Sequence, residues 1–599
     1  MIENPSLDQI NQLKNFLNNG EILSAAKKAQ SIIKKYPNSF IIWNILGVSL
    51  YELGKIDGAI KSYKKAIKLN PSYAHAHINL ALAFRVQGKL DKAIEYCEKA
   101  VFQNPDDAKA YNNLGALLLE QGKFEKAILA CKKAILLQPD YADAHNNLGA
   151  ILRDQGKFDQ AIESFEKAIT INPIYLEAYD NLGLAFTAKA KFDDAIKFFK
   201  KAISLDPDYA DAYNDMGVVL ANEGKFDEAM KYYKKAISIN PKYAEPYINI
   251  GNLLKDRGNL NEAIDAYKKA IFLNPNNPIA HKNLSFLLLN NGKLKEGFDE
   301  YEWRWKTKQG LSRYRYFLKP QWDGKISLKG KTILLWCEQG IGDNINWSSC
   351  LSLVSARADH VILECHKKLV SLLSRSFPNV EVKAEDRSLD ADRDDFDLHL
   401  PMGSIYKHFI DEIIEKGKPA SYLIPCPTRV KYWRRRLKAI GNGPYIGVSW
   451  KSINTSFSRR QNYTSILEWS PVFNIPNVTF INLQYANHDD DIKKVKDEIG
   501  ITIHNFPDID QFANIDDVAA LTAAVDMVVS TKITVPFISA GVGTPTKLIN
   551  WRQSSWNNIL LNPKGPILDI FERNTFETWG NVFKLVSKNL TKNLNKNNH

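Results

Sequence analysis

A strict 34-residue repeat fills the first half of the chain and constrains its fold more than any other feature. One repeat reads "NPDDAKAYNNLGALLLEQGKFEKAILACKKAILLQ", which predicts two amphipathic helices packed antiparallel. In each repeat a small residue allows close helix approach, a glycine permits the turn, and a proline ends the second helix. Because one pair cannot bury its apolar face alone, successive pairs must stack into an α-solenoid. The residues that keep the period are Pro37, Pro71, Pro105, Pro139, Pro173, Pro207, Pro241 and Pro275; Gly54, Gly88, Gly122, Gly156, Gly224, Gly258 and Gly292, with Ala190 in place of the missing glycine; and Ala59, Ala93, Ala127, Ala161, Ala195, Ala229 and Ala263.

The repeat resembles the tetratricopeptide repeat over about the first 300 residues. The resemblance implies a superhelix of about nine helix pairs. The first pair is degenerate, because Gly20 and Ala25 fit the pattern but no proline precedes them in phase. We therefore predict a solenoid over residues 1–305 and a connector over residues 306–330.

A column of polar side chains keeps the same period, two residues before the glycine position of the first helix. An amide both donates and accepts hydrogen bonds, so such a column on the inner wall suits the backbone of an extended peptide. In protein O-GlcNAc transferases, which this arrangement resembles, an asparagine ladder at this place binds substrate chains. A structural hydrogen bond between helices also explains the column, and both interpretations stay open. The column consists of Asn79, Asn113, Asn147, Asn181, Asn249 and Asn283, with Asp215 substituting once and Ile45 interrupting it.

The charge and apolar pattern disfavour several classes of function. The net charge of +12 is spread over solvated helix faces, whereas nucleic-acid binding needs a concentrated patch. We expect neither a signal peptide nor a membrane span, because no apolar run approaches the roughly 18 residues that a span needs. Six scattered cysteines without a CxxC spacing indicate reduced thiols rather than disulfides or a zinc site. A cytoplasmic location is therefore expected.

Past Lys306 short apolar runs alternate with helical segments, which predicts parallel sheets. One series of strands precedes the basic segment "KYWRRRLKAIGNG" and a second series follows it. We predict two Rossmann-like lobes facing a cleft, over residues 331–430 and 443–565, then a C-terminal helix and basic tail over residues 566–599. In such sheets ligands bind at the carboxyl ends of the strands. The predicted strands are residues 332–337, 360–365, 380–383, 396–400 and 421–424, and then 445–450, 478–484, 501–506, 526–530 and 546–550.

The stretch "ILLWCEQGIGDNINW", residues 333–347, leads from a strand into a glycine-rich turn at the ligand end of the first lobe. A dinucleotide fingerprint fails here, because Ile345 stands at its third glycine position. One interpretation makes Gly340 and Gly342 turn or phosphate-loop residues and Asp343 the N-cap of the next helix. The other makes Asp343 a cleft carboxylate that takes a proton from an acceptor hydroxyl. The two roles are compatible.

Several segments resemble bacterial tetratricopeptide proteins that carry a C-terminal heptosyltransferase-like glycosyltransferase domain. The resemblance rests on "YEWRW", "EQGIGD", "DLHLPMGSI", "IGVSWKS" and "AGVGTP", and covers most of residues 301–560. It implies the two-lobed GT-B fold, a nucleotide-diphosphate sugar as donor substrate, no cofactor and no required metal. It also implies that Asp343 is the general base and that the donor pyrophosphate lies at a helix start in the second lobe.

Polar residues at the strand ends of the second lobe are the candidates for holding the donor diphosphate. Backbone amides, hydroxyls and cations at a helix start suit such a group. Solvated loop charge also explains the two arginines, helix capping explains the hydroxyl residues, and a structural role explains the glutamine. The candidates are Lys451, Ser452, Arg459, Arg460, Gln484, Ser530, Thr531 and Lys532.

The chain departs from the family at Lys532, Ile533 and Phe537, where the family has Asp, Thr and His. A cation near a diphosphate is electrostatically favourable. The loss of His leaves two alternatives open: either this residue is dispensable in this branch of the family, or sugar transfer has been lost. We expect a glycosyltransferase whose solenoid recruits a protein or peptide acceptor, and we keep a non-catalytic interaction scaffold as the alternative. A lipid-linked saccharide acceptor is a third hypothesis. The oligomeric state stays open, with a homo-oligomer among the options.

Overall fold

The computed structural model describes residues 5–388, 390, 393–416, 421–451, 464–485, 488–551, 568–573 and 577–596. The chain divides into two compact units, Met1–Pro246 and Tyr247–His599. The last described repeat helix ends at Tyr301, whereas the unit boundary lies earlier. The last two helix pairs of the array therefore belong almost entirely to the second unit.

Between residues 7 and 301 the structure describes nine helix pairs, each with a first and a second helix, so the predicted α-solenoid is confirmed. The helices are α1 (Leu7–Asn18), α2 (Ile22–Lys35), α3 (Phe40–Glu52), α4 (Ile56–Leu69), α5 (Ala74–Val86), α6 (Leu90–Gln103), α7 (Ala108–Glu120), α8 (Phe124–Leu137), α9 (Ala142–Asp154), α10 (Phe158–Ile171), α11 (Leu176–Ala188), α12 (Phe192–Leu205), α13 (Ala210–Asn222), α14 (Phe226–Ile239), α15 (Glu245–Asp256), α16 (Leu260–Leu273), α17 (Pro278–Asn290) and α18 (Leu294–Tyr301).

Small residues fix both the turn and the helix separation within a repeat. The turn glycines are left-handed, as Gly156 is with φ at 77°, and Ala190 adopts the same region with φ at 56° despite its Cβ. The glycine of the first helix allows close packing, because a Cβ on Gly149 would lie 2.6 Å from the ring of Phe165 in α10. The period in the sequence therefore has a direct steric cause.

The first α/β lobe contains a parallel sheet of four strands in the order β3-β2-β1-β4. The strands are β1 (Thr332–Trp336), β2 (His360–Cys365), β3 (Glu381–Ala384) and β4 (Leu398–Pro401). At the carboxyl end of β1, Trp336 lies opposite Glu364 of β2 and Pro401 of β4. Residues 333–336 are fully buried, as expected for a parallel strand covered on both faces.

The second lobe contains a parallel sheet of six strands in the order β10-β9-β8-β5-β6-β7. The strands are β5 (Tyr445–Ser449), β6 (Thr479–Asn482), β7 (Ile503–His504), β8 (Met527–Thr531), β9 (Thr546–Trp551) and β10 (Leu568–Arg573). Counted from β5, this is the 3-2-1-4-5-6 order of a doubly wound sheet, whose ligand crevice lies where the order reverses. That switch point lies between β5 and β8, where Ser449 pairs with Ser530.

Two predicted elements were wrong. Residues 421–424 form no strand; instead the N–H groups of Tyr422 and Leu423 both donate to the carbonyl of Gly541, each at 2.9 Å. The segment from Glu572 was predicted as helical, but it completes the edge strand β10, and the last helix begins at Trp579. A short apolar run beside a turn does not reveal whether a neighbouring strand is available for pairing.

Helices and short helical turns connect the strands. They are α19 (Lys308–Leu311), α20 (Ile341–Ser348), α21 (Leu351–Ser355), α22 (Val370–Ser376), α23 (Ile405–Lys416), α24 (Pro427–Ile440), α25 (Ser470–Phe473), α26 (Asp489–Lys494), α27 (Ile515–Thr522), α28 (Val535–Val542) and α29 (Trp579–Lys596), with single turns at Glu302–Lys306, Lys367–Leu369, Met402–Ser404, Ile466–Trp469 and Val495–Ile499.

The two lobes pack directly against each other. One apolar core includes both Leu335 of the first sheet and Val528 of the second. Arg429 of the linking helix α24 donates to both carboxylate oxygens of Asp517 in α27, at 2.8 and 2.6 Å. Trp433 of α24 donates its indole N–H to the same carboxylate at 2.7 Å. These bonds fasten the linking helix to the second lobe.

Candidate functional site

The first turn of α20 carries Asp343 at the carboxyl end of β1. The helix begins at Ile341 with Gly340 as its N-cap, so Asp343 is its third residue and the predicted N-cap role was wrong. A carboxylate in the first turn is still favoured, because the helix dipole is positive there. Gly342 is also helical, so it is not a loop residue as predicted. Asp343 is half-buried.

A buried ion pair fixes the turn between β1 and α20. Arg304 donates Nε to Oε2 of Glu338 at 2.8 Å and Nη2 to Oε1 at 2.7 Å. The amide of Gly403 donates to the same carboxylate at 2.9 Å. Arg304 also donates to Glu302 at 2.7 Å and to Ser404 at 2.8 Å. Burial alone would raise the pKa of Glu302, but the charge and hydrogen bonds of Arg304 lower it.

The last repeat helix also contacts this turn. Gln339 donates its amide N–H to the hydroxyl of Tyr301, at the end of α18, at 2.6 Å. Burial is the main cause that raises the pKa of Tyr301, and the nearby charge of Asp343 raises it further. The phenol therefore stays neutral beside the turn. The motifs "YEWRW" and "EQGIGD", which sequence reasoning left without a link, are joined by these contacts.

In the second lobe, Gln484 shapes the turn after β5. Its Oε1 accepts from the hydroxyl of Ser449 at 3.1 Å and from the amides of Trp450 and Lys451 at 2.9 and 3.0 Å. Its Nε2 donates to the carbonyl of Lys451 at 2.7 Å. The side chain is fully buried, and both polar atoms of its amide bond to the turn. The described contacts of Gln484 therefore assign it to positioning the turn.

Lys451 follows this turn and lies at the switch point. Its ammonium group contacts Oδ2 of Asp491 in α26 at 2.5 Å, and the indole of Trp450 donates to the same oxygen at 2.8 Å. Lys451 is half-buried. An incoming diphosphate must therefore compete with Asp491 for this cation.

At the end of β8, Ser530 and Thr531 are fully buried. The hydroxyl of Ser530 donates to the carbonyl of Thr531 at 2.9 Å. The hydroxyl of Thr531 has no hydrogen-bond partner among the residues that the structure describes. A buried hydroxyl without a partner costs about 1–3 kcal/mol, so this group calls for an explanation. Lys532 follows it and is half-buried.

The turn of Asp343 and the segment after β8 meet directly. Helix α20 packs against α28, and a Cβ on Gly342 would lie 3.1 Å from the Phe537 ring and 3.5 Å from the Cα of Thr534. Gly342 is therefore needed for the close approach of the two lobes. Phe537, at the position of the family's His, is buried in this contact.

Three predicted donor residues, Ser452, Arg459 and Arg460, lie outside the described residues. Within the described ranges, no group of three or more His, Cys, Asp or Glu side chains is arranged to hold a metal ion. No described helix is both long and apolar enough to cross a membrane.

The asparagine column forms hydrogen bonds between successive repeats. Each bonded amide donates Nδ2 to the Oδ1 of an asparagine in the preceding repeat, and successive first helices contact each other from α1 to α13. Position 78 is an isoleucine, so Asn113 finds no such acceptor, and its Nδ2 lacks a partner among the described residues. Asn249 is half-buried on α15. The bonds are Asn79 to Asn44 at 3.0 Å, Asn147 to Asn112 at 2.8 Å, Asn181 to Asn146 at 3.0 Å and Asn283 to Asn252 at 3.1 Å.

One rung of this ladder has an aspartate at both ends. Asp180 and Asp215 have the 35-residue spacing of the Asn–Asn rungs, between α11 and α13. Asp180 is buried, and its Oδ1 receives no hydrogen bond from any described donor. Burial and the charge of Asp215 raise the pKa of Asp180, and burial is the main cause that raises that of Asp215 to about 6. A protonated Asp180 hydrogen-bonds Asp215, so the pair still shares one proton after Asp215 has ionised, and both carboxyls are protonated only below about pH 6. Sequence reasoning noted Asp215 but missed its partner, although the fixed spacing points to it.

This rung predicts a pH-dependent stability. Between the unfolded carboxyl pKa near 4 and the raised folded values, the folded state binds more protons than the unfolded state. Stability is therefore lost as pH rises through about 6. The Asp180→Asn/Asp215→Asn variant is expected to have a free energy of unfolding about 2 kcal/mol higher than the natural protein at pH 8. At pH 4.5 the two free energies of unfolding are expected to differ little. Urea unfolding of both proteins at the two pH values measures this difference, and a difference independent of pH would contradict it.

Comparison with known proteins bears on the repeats. Family models described as the tetratricopeptide repeat match residues 11–74, 46–108, 108–141, 142–175, 210–243 and 232–265, and a model described as the TPR repeat matches residues 183–224 and 251–292. Protein FlbA of Caulobacter vibrioides is 32% identical over 253 residues, which are 40% of this chain and 42% of FlbA. A peroxisomal targeting signal receptor of Candida glabrata is 39% identical over 54 residues, 9% of each protein. The chain thus spans less than half the length of these curated relatives.

Two solved structures are similar to parts of the chain. A crystal structure of MamA protein is 34% identical, with 29% of this chain and 95% of that chain covered and a TM-score of 0.26. The crystal structure of the APC/C hetero-tetramer Cut9-Hcn1 is 20% identical, with 42% and 49% covered and a TM-score of 0.37. The family matches and the nine described helix pairs show that about the first 300 residues of the chain are an array of tetratricopeptide repeats.

Proposed function

We propose that the α/β part of the chain is a glycosyltransferase of the two-lobed GT-B type. The observation that carries the proposal is the hydroxyl of Thr531, which is buried without a partner at the switch point of a doubly wound sheet. A diphosphate oxygen that accepts a hydrogen bond from this hydroxyl accounts for a polar group that is otherwise destabilising. The contact between α20 and α28 brings the segment of Asp343 next to it.

In the proposed reaction, Asp343 takes the proton of the acceptor hydroxyl. The oxygen of that hydroxyl forms a bond to the anomeric carbon of the donor sugar at the same time. The bond between that carbon and the donor phosphate breaks, and the nucleoside diphosphate leaves with the electron pair. Lys451, Thr531 and Lys532 stabilise the charge that develops on the leaving group. Gln484 holds the amides of the turn after β5 in place.

The solenoid is proposed to recruit a protein or peptide acceptor. Its first helices carry a polar column whose amides bond between repeats, and an amide oxygen can accept more than one hydrogen bond. An extended chain bound along this column would supply the acceptor hydroxyl. Removal of residues 1–246, the first compact unit, tests this role. A saccharide acceptor would still be modified by the remaining unit, whereas a peptide acceptor would not.

A non-catalytic scaffold is the second candidate, and one observation favours it. Phe537 fills the contact with Gly342 where the resembling family has a histidine. To decide between the candidates, the full-length protein is incubated with a panel of nucleotide sugars and release of nucleoside diphosphate is followed. The transferase proposal expects transfer or slow hydrolysis of at least one sugar. Absence of both, together with no calorimetric affinity for nucleoside diphosphates, would leave the scaffold.

The Thr531→Val variant tests the hydroxyl itself. Valine keeps the shape and removes the unpartnered oxygen, so the free protein is expected to gain about 1 kcal/mol of stability while its affinity for the nucleoside diphosphate falls about tenfold. Thr522→Val in α27 is the matched control, because its hydroxyl is also buried without a partner among the described residues. That variant is expected to gain stability without losing affinity. Unchanged affinity in Thr531→Val, measured by titration calorimetry, would contradict the assignment.

A further inference from the structure

The Asp180–Asp215 rung interrupts a neutral ladder with two acidic groups. In an Asn–Asn rung one amide donates and the other accepts, as Asn181 does to Asn146 at 3.0 Å. In the fully ionised state the two carboxylates can only accept, so no donor joins them as one joins the bonded neighbours. Asp215 accepts from Asn214, but Oδ1 of Asp180 is buried and receives no hydrogen bond from any described donor, which is costly and calls for a partner.

The surroundings add negative charge to the rung. Tyr209 has its pKa raised first by burial and then by Asp180, Asp211, Glu177 and Asp215, so four carboxyl groups surround one phenol. Asp211 and Glu177 are exposed at the starts of α13 and α11, while Asp180 is buried and Asp215 is half-buried. Two exposed carboxylates thus lie near the less exposed carboxyls of the rung.

The groups that face the rung from neighbouring helices do not neutralise it. Arg153 of α9 is near enough to lower the pKa of both carboxyls, but its guanidinium donates to Asn181 at 2.8 Å and to Asp154 at 3.4 Å. Tyr243, after α14, hydrogen-bonds Asp211. Burial and then the charge of Asp215 raise the pKa of Tyr233 in α14. Both phenols have raised pKa values and stay neutral. Asn214 donates to Asp215 at 2.9 Å without adding charge.

We propose that the Asp180–Asp215 rung is a subsite for one cationic side chain, a lysine ammonium or an arginine guanidinium, of a peptide on the inner wall of the solenoid. The cation donates to both carboxylates, including the unsatisfied Oδ1 of Asp180, and exposed Asp211 and Glu177 attract it. Its entry releases the proton that the pair otherwise shares. A metal ion fits less well, since within the described ranges no three acidic, His or Cys side chains converge to hold one. The inference deepens the recruiting role proposed for the solenoid and does not depend on sugar transfer.

The test uses the full-length protein and two labelled peptides, Ser-Gly-Ser-Gly-Arg-Gly-Ser-Gly-Ser and its citrulline analogue. Citrulline keeps the shape of arginine without its charge. The arginine peptide is expected to bind at least about tenfold more tightly than the citrulline peptide, by fluorescence anisotropy. In Asp180→Asn/Asp215→Asn, which rebuilds the rung found elsewhere in the ladder, this preference is expected to disappear.

The pH dependence supplies a second measurement. Because the cation displaces a proton, binding of the arginine peptide is expected to strengthen as pH rises through about 6 in the natural protein and to stay constant in the double variant. Equal binding of both peptides, no binding of the arginine peptide at millimolar concentration, or a preference that survives the double variant would each overturn the proposal. Loss of sugar transfer with the preference intact would instead overturn only the transferase.

Discussion

The Asp343→Asn variant is expected to transfer sugar about 100-fold more slowly than the natural protein, the usual scale for loss of a general base. Asparagine keeps the size of the side chain but cannot accept the proton of the acceptor hydroxyl. The residue lies in the first turn of α20, so the substitution also removes a favourable interaction with the helix dipole, worth at most about 1 kcal/mol. Initial rates of nucleoside diphosphate release at saturating donor measure the effect.

Two controls separate chemistry from structure in this variant. The affinity for the nucleoside diphosphate is expected to stay the same, since Asp343 belongs to the acceptor side. Asp106→Asn, at an exposed carboxylate of a solenoid loop, is expected to leave the rate unchanged. Full turnover by Asp343→Asn would remove this residue from the mechanism.

The Arg304→Ala variant is expected to destabilise the second unit by about 3–5 kcal/mol, the largest effect on stability that we predict. The substitution leaves the carboxylate of Glu338 buried with one remaining donor, the amide of Gly403. Because this carboxylate anchors the turn between β1 and α20, transfer activity should fall with stability. Urea unfolding followed by tryptophan fluorescence measures the loss, since Trp336 and Trp347 lie beside the turn.

Replacing both members of the pair with apolar residues distinguishes a lost attraction from a stranded charge. In Arg304→Met/Glu338→Met the buried carboxylate is gone as well, so most of the stability is expected to return. Lys295→Ala is the matched control, because its ion pair with Asp411 lies on the surface and should contribute nothing measurable. Equal losses in Arg304→Ala and in the double variant would contradict the stranded-charge explanation.

The solenoid was predictable because its constraints are local and repeat with a fixed period. A turn needs a left-handed residue, and two helices in contact need a small one, so Gly156 and Gly149 recur in sequence as they do in space. The alternating strands also predicted parallel sheets with their carboxyl ends at the turns after β1 and β8. The edge strand β10 was missed, because pairing with β9 is decided by a neighbour distant in the chain.

The functions of individual site residues were less predictable, because they depend on which groups meet across the lobes. Gly342 was assigned to a phosphate loop, whereas its role is close packing against Phe537. Gln484 was assigned to the donor, yet its described hydrogen bonds hold the turn after β5. Nothing in local sequence reveals that Glu338 is buried against Arg304, 34 residues earlier. The Asp180–Asp215 rung, by contrast, follows from the period once the bonding distance of 35 residues is known.

Hydrogen exchange of the full-length protein, with and without saturating UDP, GDP, ADP, CDP or dTDP, tests most directly whether one crevice between the lobes binds the donor. One of these ligands is expected to slow amide exchange simultaneously in the segment around Asp343 and in the segment around Thr531. Protection confined to a distant surface, or no protection by any of the five, would contradict a donor site at this contact.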